Sequence, residues 1–389
     1  MFKRYFFFIL IIIAIVSCYR EKETGLISIT GSFPKYTGEW LYLEELEVRN
    51  AVILDSVKIN KEGKFVFNLE IEDAGFYILR INKENYLVLQ LEKNETVKVN
   101  SNNNYFSTGY QVKGSPGSQL LMTFECFMTK QKQRVDSLAY VFKTSQGEPD
   151  FYDTKLKLDS IYMIVYNDQR KYVKEFIGKN SGSLASLIII NSKLGNNKVM
   201  DEEEDFIYFH RIDSALTINY PENKHTINHH NRVKEIRQKK LDSFIADEKL
   251  KPGKNAPDIV IRDINDQIVS LQDMGGQNIL VYFWAGWNAK SRQDNKKLVA
   301  IYDELKEHNI EIFGVSLDEN EKVWKGAIKL DKLPWIQGSD LKGLKSPVNK
   351  AYNLNDELPF YYLIDEEGRI ILKDNDVDKI IEKLEDFWR

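Results

Sequence analysis

Apolar and polar positions follow a different rhythm in each part of the chain. Over residues 26–112 the period is two. Val57, Ile59, Phe65, Phe67, Leu69 and Ile71 alternate with mostly polar residues around a turn at Asn60-Lys61-Glu62-Gly63, which signals antiparallel hairpins with one buried face. Further strands are predicted at 26–30, 39–44, 76–81, 86–91 and 96–99. Six or more short strands with little helix suggest a small β-sandwich. Gly114-Ser115-Pro116-Gly117-Ser118 reads as a loop. From Gln119 onward the period lengthens. Leu120, Phe124, Phe127 and Met128 fall on one helical face, and Ile161, Ile164, Val165, Phe176 and Ile177 continue the pattern. Another helix opens at Ser183-Leu184-Ala185, capped by Asn180 or Ser181, and a last charged one covers 231–245.

The third rhythm is that of short apolar runs feeding helices. Ile279-Leu280-Val281-Tyr282-Phe283-Trp284 turns through Ala285-Gly286-Trp287 into the polar segment Asn288-Ala289-Lys290-Ser291-Arg292. That is the pattern of a buried strand followed by a helix start. A strand pair at 259–262 and 267–271 precedes it, and strands at 310–315 and 358–365 follow. Phe387 and Trp388 end an amphipathic helix. The fold class is therefore multi-domain α+β: an antiparallel β-sandwich over 26–112, a helical region over 113–250 and an α/β domain over 251–389.

The first residues obey another logic. Lys3 and Arg4 precede an apolar stretch over 5–16, then Ile15-Val16-Ser17-Cys18. This is a signal peptide over 1–17, too short to span a membrane comfortably, followed by a polar tether over 18–25. The tetrad resembles a bacterial lipobox, which implies lipid on Cys18 and attachment to a membrane. Tyr19, not Asp, follows Cys18, and by the same resemblance this points to the outer membrane, with the leaflet left open. Hydrophobic residues make up 43% and charged residues 29%, so the remainder reads as globular. The net charge is −4 and becomes more negative once Lys3 and Arg4 leave. A nucleic-acid binder, with its concentrated basic footprint, is excluded. Cys18 and Cys126 are the only cysteines, so the lipidated chain holds no intramolecular disulfide.

Residues 278–294 resemble the active-site segment of the TlpA/ResA branch of thioredoxin-like proteins, in which Phe-Trp-Ala-x-Trp leads into Cys-x-x-Cys-Arg. Gly253-Lys254-Asn255-Ala256-Pro257-Asp258, Val315-Ser316-Leu317-Asp318, Leu333-Pro334-Trp335 and Leu358-Pro359-Phe360 match further motifs of that branch. The likeness covers about the last third of the chain and implies a thioredoxin-like fold from a family of thiol-disulfide oxidoreductases. The preceding part resembles the uncharacterised sandwich domain often found ahead of this module in envelope lipoproteins.

Asn288 and Ser291 stand where the family has its two cysteines. Disulfide exchange needs an attacking thiolate and a resolving thiol, the first favoured by a helix N-terminus. Asn and Ser cap such a terminus well but form no thiolate. The expectation is a degenerate site with no catalytic residue. Its groove, formed by Trp287, Asn288, Ser291, Leu358 and Pro359, is left to bind an envelope protein or peptide. Pro359 matches the family's cis-proline. Asp294 lies where the family often has a Glu that assists proton movement; without thiols it reads as a solvated helix acid. Lys296 replaces a helix proline, so a straighter helix is expected. Trp284 is assigned to the core, and Trp287 either to the core or to a contact patch.

Other candidates fare less well. Cys126 adjoins Leu120, Phe124 and Phe127 and reads as a buried small hydrophobe; Glu125 beside it disfavours a thiolate. An active oxidoreductase, a monothiol enzyme built on Cys126, or a structural role for the sandwich remain as alternatives. His225 and His229 share a helical face, with His230 beside them, but lack the Glu of a zinc-protease helix; the reading is a solvated surface and no metal. There is no glycine-rich phosphate loop and no serine-nucleophile elbow, so no cofactor is expected.

Overall fold

A computed structural model describes residues 25–355 and 357–386. The leader, Cys18 and the tether lie outside the described residues, as do Phe387 and Trp388. The chain divides into two compact units, Met1–Ile236 and Arg237–Arg389.

The first unit begins with β1 (Gly25–Ser32), β2 (Trp40–Leu46), β3 (Ala51–Lys58), β4 (Lys64–Ile71), β5 (Gly75–Arg80), β6 (Tyr86–Leu91), β7 (Thr96–Asn100) and β8 (Gln111–Lys113). They form two four-stranded sheets, ordered β4-β1-β7-β8 and β3-β2-β5-β6. Ile27, Ile29, Leu41, Leu43, Phe67, Leu79, Leu89 and Val97 from both sheets fill the core between them. The sandwich is as expected, but one of its hairpins is not. The turn at Asn60–Gly63 does not return β4 against β3. Instead β3 pairs with β2, and β4 pairs antiparallel with β1, so the chain crosses between sheets. Alternation reports that Phe65 and Phe67 face inward, and it is equally satisfied in either sheet.

Helices follow: α1 (Pro116–Thr144), α2 (Phe151–Asn180) and α3 (Ala185–Ile190), then a small hairpin of β9 (Lys193–Leu194) and β10 (Asn197–Lys198), then α4 (Phe206–Asn219) and α5 (Lys224–Lys249). They cover the outer face of the second sheet, where Phe76 and Val88 meet Leu121, Phe124, Val173 and Leu187. The loop expected at 114–118 is in part the first turn of α1. Ser115 is its N-cap, its Oγ accepting from the Ser118 amide at 3.3 Å, and Pro116 takes the first helical position, where its missing N–H costs nothing. Neither Asn180 nor Ser181 caps α3. The Gln90 side chain does so from β6, its Oε1 accepting from the Ala185 amide at 2.8 Å. Ile161 and Ile164 are exposed, while Val165, next in the chain, is fully buried. The final helix, α5, starts seven residues before the expected 231, because Asn223 accepts from the His225 amide at its entry.

The second unit carries β11 (Val260–Asp263), β12 (Ile268–Ser270), β13 (Asn278–Trp284), α6 (Ala289–Glu307), β14 (Ile310–Ser316), α7 (Glu321–Asp331), β15 (Ile336–Ser339), α8 (Pro347–Ala351), β16 (Phe360–Ile364), β17 (Ile370–Asp374) and α9 (Val377–Glu385). Its seven-stranded sheet runs β12-β11-β15-β14-β13-β16-β17. β13 is parallel to β14 and antiparallel to β16, so it is hydrogen-bonded on both edges. Both of its faces are covered. Leu280, Tyr282 and Trp284 meet Leu298, Trp324 and Ile380 on one side, and Ile279, Val281 and Phe283 meet Tyr352 and Leu354 on the other. A central strand buried twice over needs the unbroken apolar run that the sequence shows.

Candidate functional site

The site forms where β13 ends and α6 begins. Trp284, the last residue of β13, is fully buried. Its indole Nε1 donates to Gln337 Oε1 at 3.0 Å, and the Gln337 side chain lies over Gly314 so closely that a Cβ there would fall 2.4 Å from that oxygen. The chain then turns. The Gly286 amide donates to Asp318 Oδ2 at 2.8 Å, and the Ser316 hydroxyl donates to the same oxygen. Gly286 has little space for a side chain, since a Cβ would stand 3.0 Å from Ala327 Cβ and 3.1 Å from the Val323 carbonyl.

Asn288 is the N-cap of α6. Its Oδ1 accepts from the Ser291 amide at 2.9 Å, and its Nδ2 donates to the Leu358 carbonyl at 3.3 Å. Leu358–Pro359 is a cis peptide. One side chain thus ties the helix start to the proline loop. Ser291 is fully buried, and its Oγ has no hydrogen-bond partner among the described residues. Trp287 is 57% exposed, which settles its alternatives in favour of the surface. Leu358 is half-buried and Pro359 buried. All five residues of the expected groove therefore belong to the same neighbourhood of turn, helix start and proline loop, with Trp287, Asn288 and Leu358 reaching the surface.

Arg292 fastens the turn from below. Its Nε and Nη2 donate to the two oxygens of Asp331 at 2.5 and 2.7 Å, and its Nη1 donates to the Gly286 carbonyl at 3.3 Å. Asn295 Nδ2 adds a bond to Asp331 at 2.7 Å. Burial alone would raise the Asp331 pKa, but the Arg292 and Asn295 hydrogen bonds outweigh it and hold the carboxyl below its ordinary value. A bidentate arginine–carboxylate pair of this kind fixes geometry as well as charge.

Asp294 corrects the sequence reading: it is buried, not solvated. Its Oδ2 accepts from the Tyr361 hydroxyl at 2.9 Å, and the Tyr361 ring stacks on that of Tyr282 at 5.0 Å. Burial raises its pKa against the lowering effect of that hydrogen bond. The inward face of α6 consists of Ser291, Asp294, Asn295, Leu298 and Leu305, so polar residues take core positions under the site. Lys296 is exposed, and α6 runs without interruption past it.

Two further expectations change. Cys126 is exposed on α1, not buried. Helical phase explains it, because Leu121 and Phe124 take the inward face while Cys126 falls outside it. The histidines are not a solvated cluster. His229 is buried, with Nε2 3.0 Å from the Phe209 carbonyl and therefore carrying the proton. His225 is half-buried, its pKa lowered by burial, and His230 pairs with Asp213 at 2.9 Å. Among the described residues no three His, Cys, Asp or Glu side chains are grouped to hold a metal, and no helix is long and apolar enough to cross a membrane. Sequence reasoning missed the Gln337, Asp331 and Tyr361 partners. Only Asp318 had a signal, as the end of a family motif.

Residues 252–373 match the AhpC/TSA family, and residues 27–121 match a domain of unknown function, DUF4369. The thiol-disulfide oxidoreductase ResA of Bacillus cereus is 30% identical over 131 residues, covering 33% of this chain and 73% of that protein. The thioredoxin domain of a thiol-disulfide oxidoreductase from Bacteroides vulgatus is 33% identical, covering 36% of this chain and 99% of that one, with a TM-score of 0.34. The C-terminal domain of a putative thiol-disulfide oxidoreductase from Bacteroides thetaiotaomicron is 30% identical, covering 36% and 97%, with a TM-score of 0.33. With its strand, capped helix and proline loop in the second unit and a DUF4369 domain in the first, the chain belongs to the thioredoxin-fold AhpC/TSA family, among the relatives of the ResA/TlpA-like thiol-disulfide oxidoreductases.

Proposed function

We propose that the chain is an exported lipoprotein of the bacterial envelope, held at the outer membrane through Cys18. Its thioredoxin-like domain no longer exchanges disulfides and serves as a binding module for an envelope protein or peptide. The observation that supports this most is the double role of Asn288. In the position of the family's attacking thiol it caps α6 and holds the Leu358 carbonyl, which ties the helix start to the proline loop with no sulfur between them. Thiol chemistry needs a thiolate, and neither Asn288 nor Ser291 supplies one.

The test is direct. The purified chain should not reduce a disulfide substrate above background. Asn288→Cys with Ser291→Cys should form a disulfide under mild oxidation, because positions three apart in a first helical turn satisfy the Cα spacing of up to about 7 Å, and weak reductase activity should appear with it. Turnover by the unmodified chain contradicts the loss of redox function. Engineered cysteines that stay reduced contradict a preserved groove. The exposure of Cys126 favours a second reading, a monothiol redox protein; turnover that disappears in Cys126→Ala would establish it. Export is tested separately: mass spectrometry should find an acylated Cys18 at the mature N-terminus, and Cys18→Ala should release the protein or leave it unprocessed.

A further inference from the structure

A cleft of about 900 Å³ opens in the first unit, between the β6 end of the second sheet and α1. β6 is the last strand of its sheet. Its pairing with β5 sets Tyr86, Val88 and Gln90 opposite Arg80, Ile78 and Phe76. The Gln90 carbonyl points away from β5, since it accepts from the hydroxyls of both Ser115 and Ser118 at 2.8 Å. In an antiparallel ladder the outward direction recurs every second residue. The backbone N–H and C=O of Val88 and Tyr86 therefore point outward along the same edge. There the two serines no longer cover it, and both residues line the cleft.

The opposite wall carries chemistry of its own. Tyr110 is 4% exposed, lines the cleft, and its hydroxyl has no partner among the described residues. Glu125 of α1 lines it too. Glu125 is exposed, yet the surrounding protein displaces enough water to raise the carboxyl's pKa, and no cation is paired with it among the described residues. Phe124 and Met128 supply apolar wall between them. Lysines are present, but Lys132 is held by Asp136 at 2.6 Å, and Lys193 and Lys83, the latter next to the equally exposed Glu84 in the chain, are exposed.

We propose that this cleft takes an extended peptide as an added strand on the edge of β6, with a basic side chain of that peptide reaching Glu125. Free edge backbone supplies affinity in this mode, and alternate side chains supply specificity. A protonated amine or guanidinium satisfies the carboxylate, which has no charged partner of its own among the described residues. The cleft lies wholly in the first unit, so the proposal is independent of what the thioredoxin-like groove binds.

The test uses the full chain and a fluorescent six-residue peptide, acetylated and amidated, that alternates valine with threonine and carries one central lysine. Fluorescence anisotropy should show saturable binding. Glu125→Gln should weaken it up to about tenfold, as expected for loss of one member of a partly exposed charge pair. The same peptide with norleucine for lysine should bind Glu125→Gln and the unmodified chain alike. N-methylation of the peptide's alternate amides should abolish binding, as should Val88→Pro, which removes one outward N–H at an edge where proline is tolerated. If Val88→Pro fails to fold, the N-methylated peptide decides the matter on the unmodified chain. Three results overturn the proposal: no saturation up to about 1 mM, equal binding of the N-methylated peptide, or no effect of Glu125→Gln. Self-association of the chain that Val88→Pro abolishes also overturns it, by giving the edge to a second copy.

Discussion

Asn288 and Asp294 sit within two turns of each other and make opposite contributions. Asn288 removes an orphan amide at the start of α6. Asn288→Ala should destabilise the second unit by about 1 kcal/mol and Asn288→Ser by much less, since serine keeps a capping oxygen; urea denaturation reads both. Asp294 is held at a cost. Its pKa is raised by burial, so its ionised form disfavours the folded state at neutral pH. That cost begins to lift as pH falls through the raised folded value and is gone below the unfolded one, about 3.9. Asp294→Asn keeps an acceptor for Tyr361. It should melt higher than the unmodified chain at pH 7, with the difference closing toward pH 4; a difference independent of pH would contradict this. The cap was legible in the sequence because it is local: Asn288 and the amide it serves are three residues apart. The burial of Asp294 was not. Its partner hydroxyl comes from Tyr361, 67 positions away, and a helix whose inward face is Ser291, Asp294 and Asn295 shows no apolar stripe there.

Among the elements, β13 depends most on a neighbour. Its end is fixed by the Trp284 indole bonded to Gln337, and Gln337 reaches that position only because Gly314 on β14 has no side chain. Gly314→Ala should push Gln337 away, break the indole bond and destabilise the second unit by about 1–3 kcal/mol. Denaturant midpoints measure the loss, and Trp284→Phe in the same background should add less than it does alone, since the two changes remove one bond. The existence of β13 followed from its apolar run, whereas the requirement for glycine at 314 followed from nothing near it in the chain. The same holds for β3 and β4. Period two revealed which residues of β4 face inward, but the choice of sheet rests on β1, more than thirty residues earlier. The start of α1 is a different failure. Ser115-Pro116 carries both marks of a helix N-terminus, and the glycines on either side made it read as a loop.

At the scale of the molecule, each unit has its own apolar cores, with Leu43, Phe67 and Leu89 in one and Leu280, Tyr282 and Leu298 in the other. Such a chain need not unfold in a single step. Two transitions are expected in a denaturant series, and Gly314→Ala should move only one. A single transition displaced as a whole would show that the units unfold as one. The order of sandwich, helices and α/β domain was legible because each has its own hydrophobic period. The division at Ile236 falls within α5, where the period does not change, and only the packing marks it.

The turn at Gly286 is fastened from three directions, by Asp318, by Arg292 and by the Asn288 cap. Such bracing has a thermodynamic meaning for any partner that docks on Trp287. The ordering entropy on this side was spent during folding, so only the partner's own loss of freedom remains to be met. Mutants of the bracing residues should therefore weaken association chiefly through the entropy measured by calorimetry, even where they touch no atom of the partner.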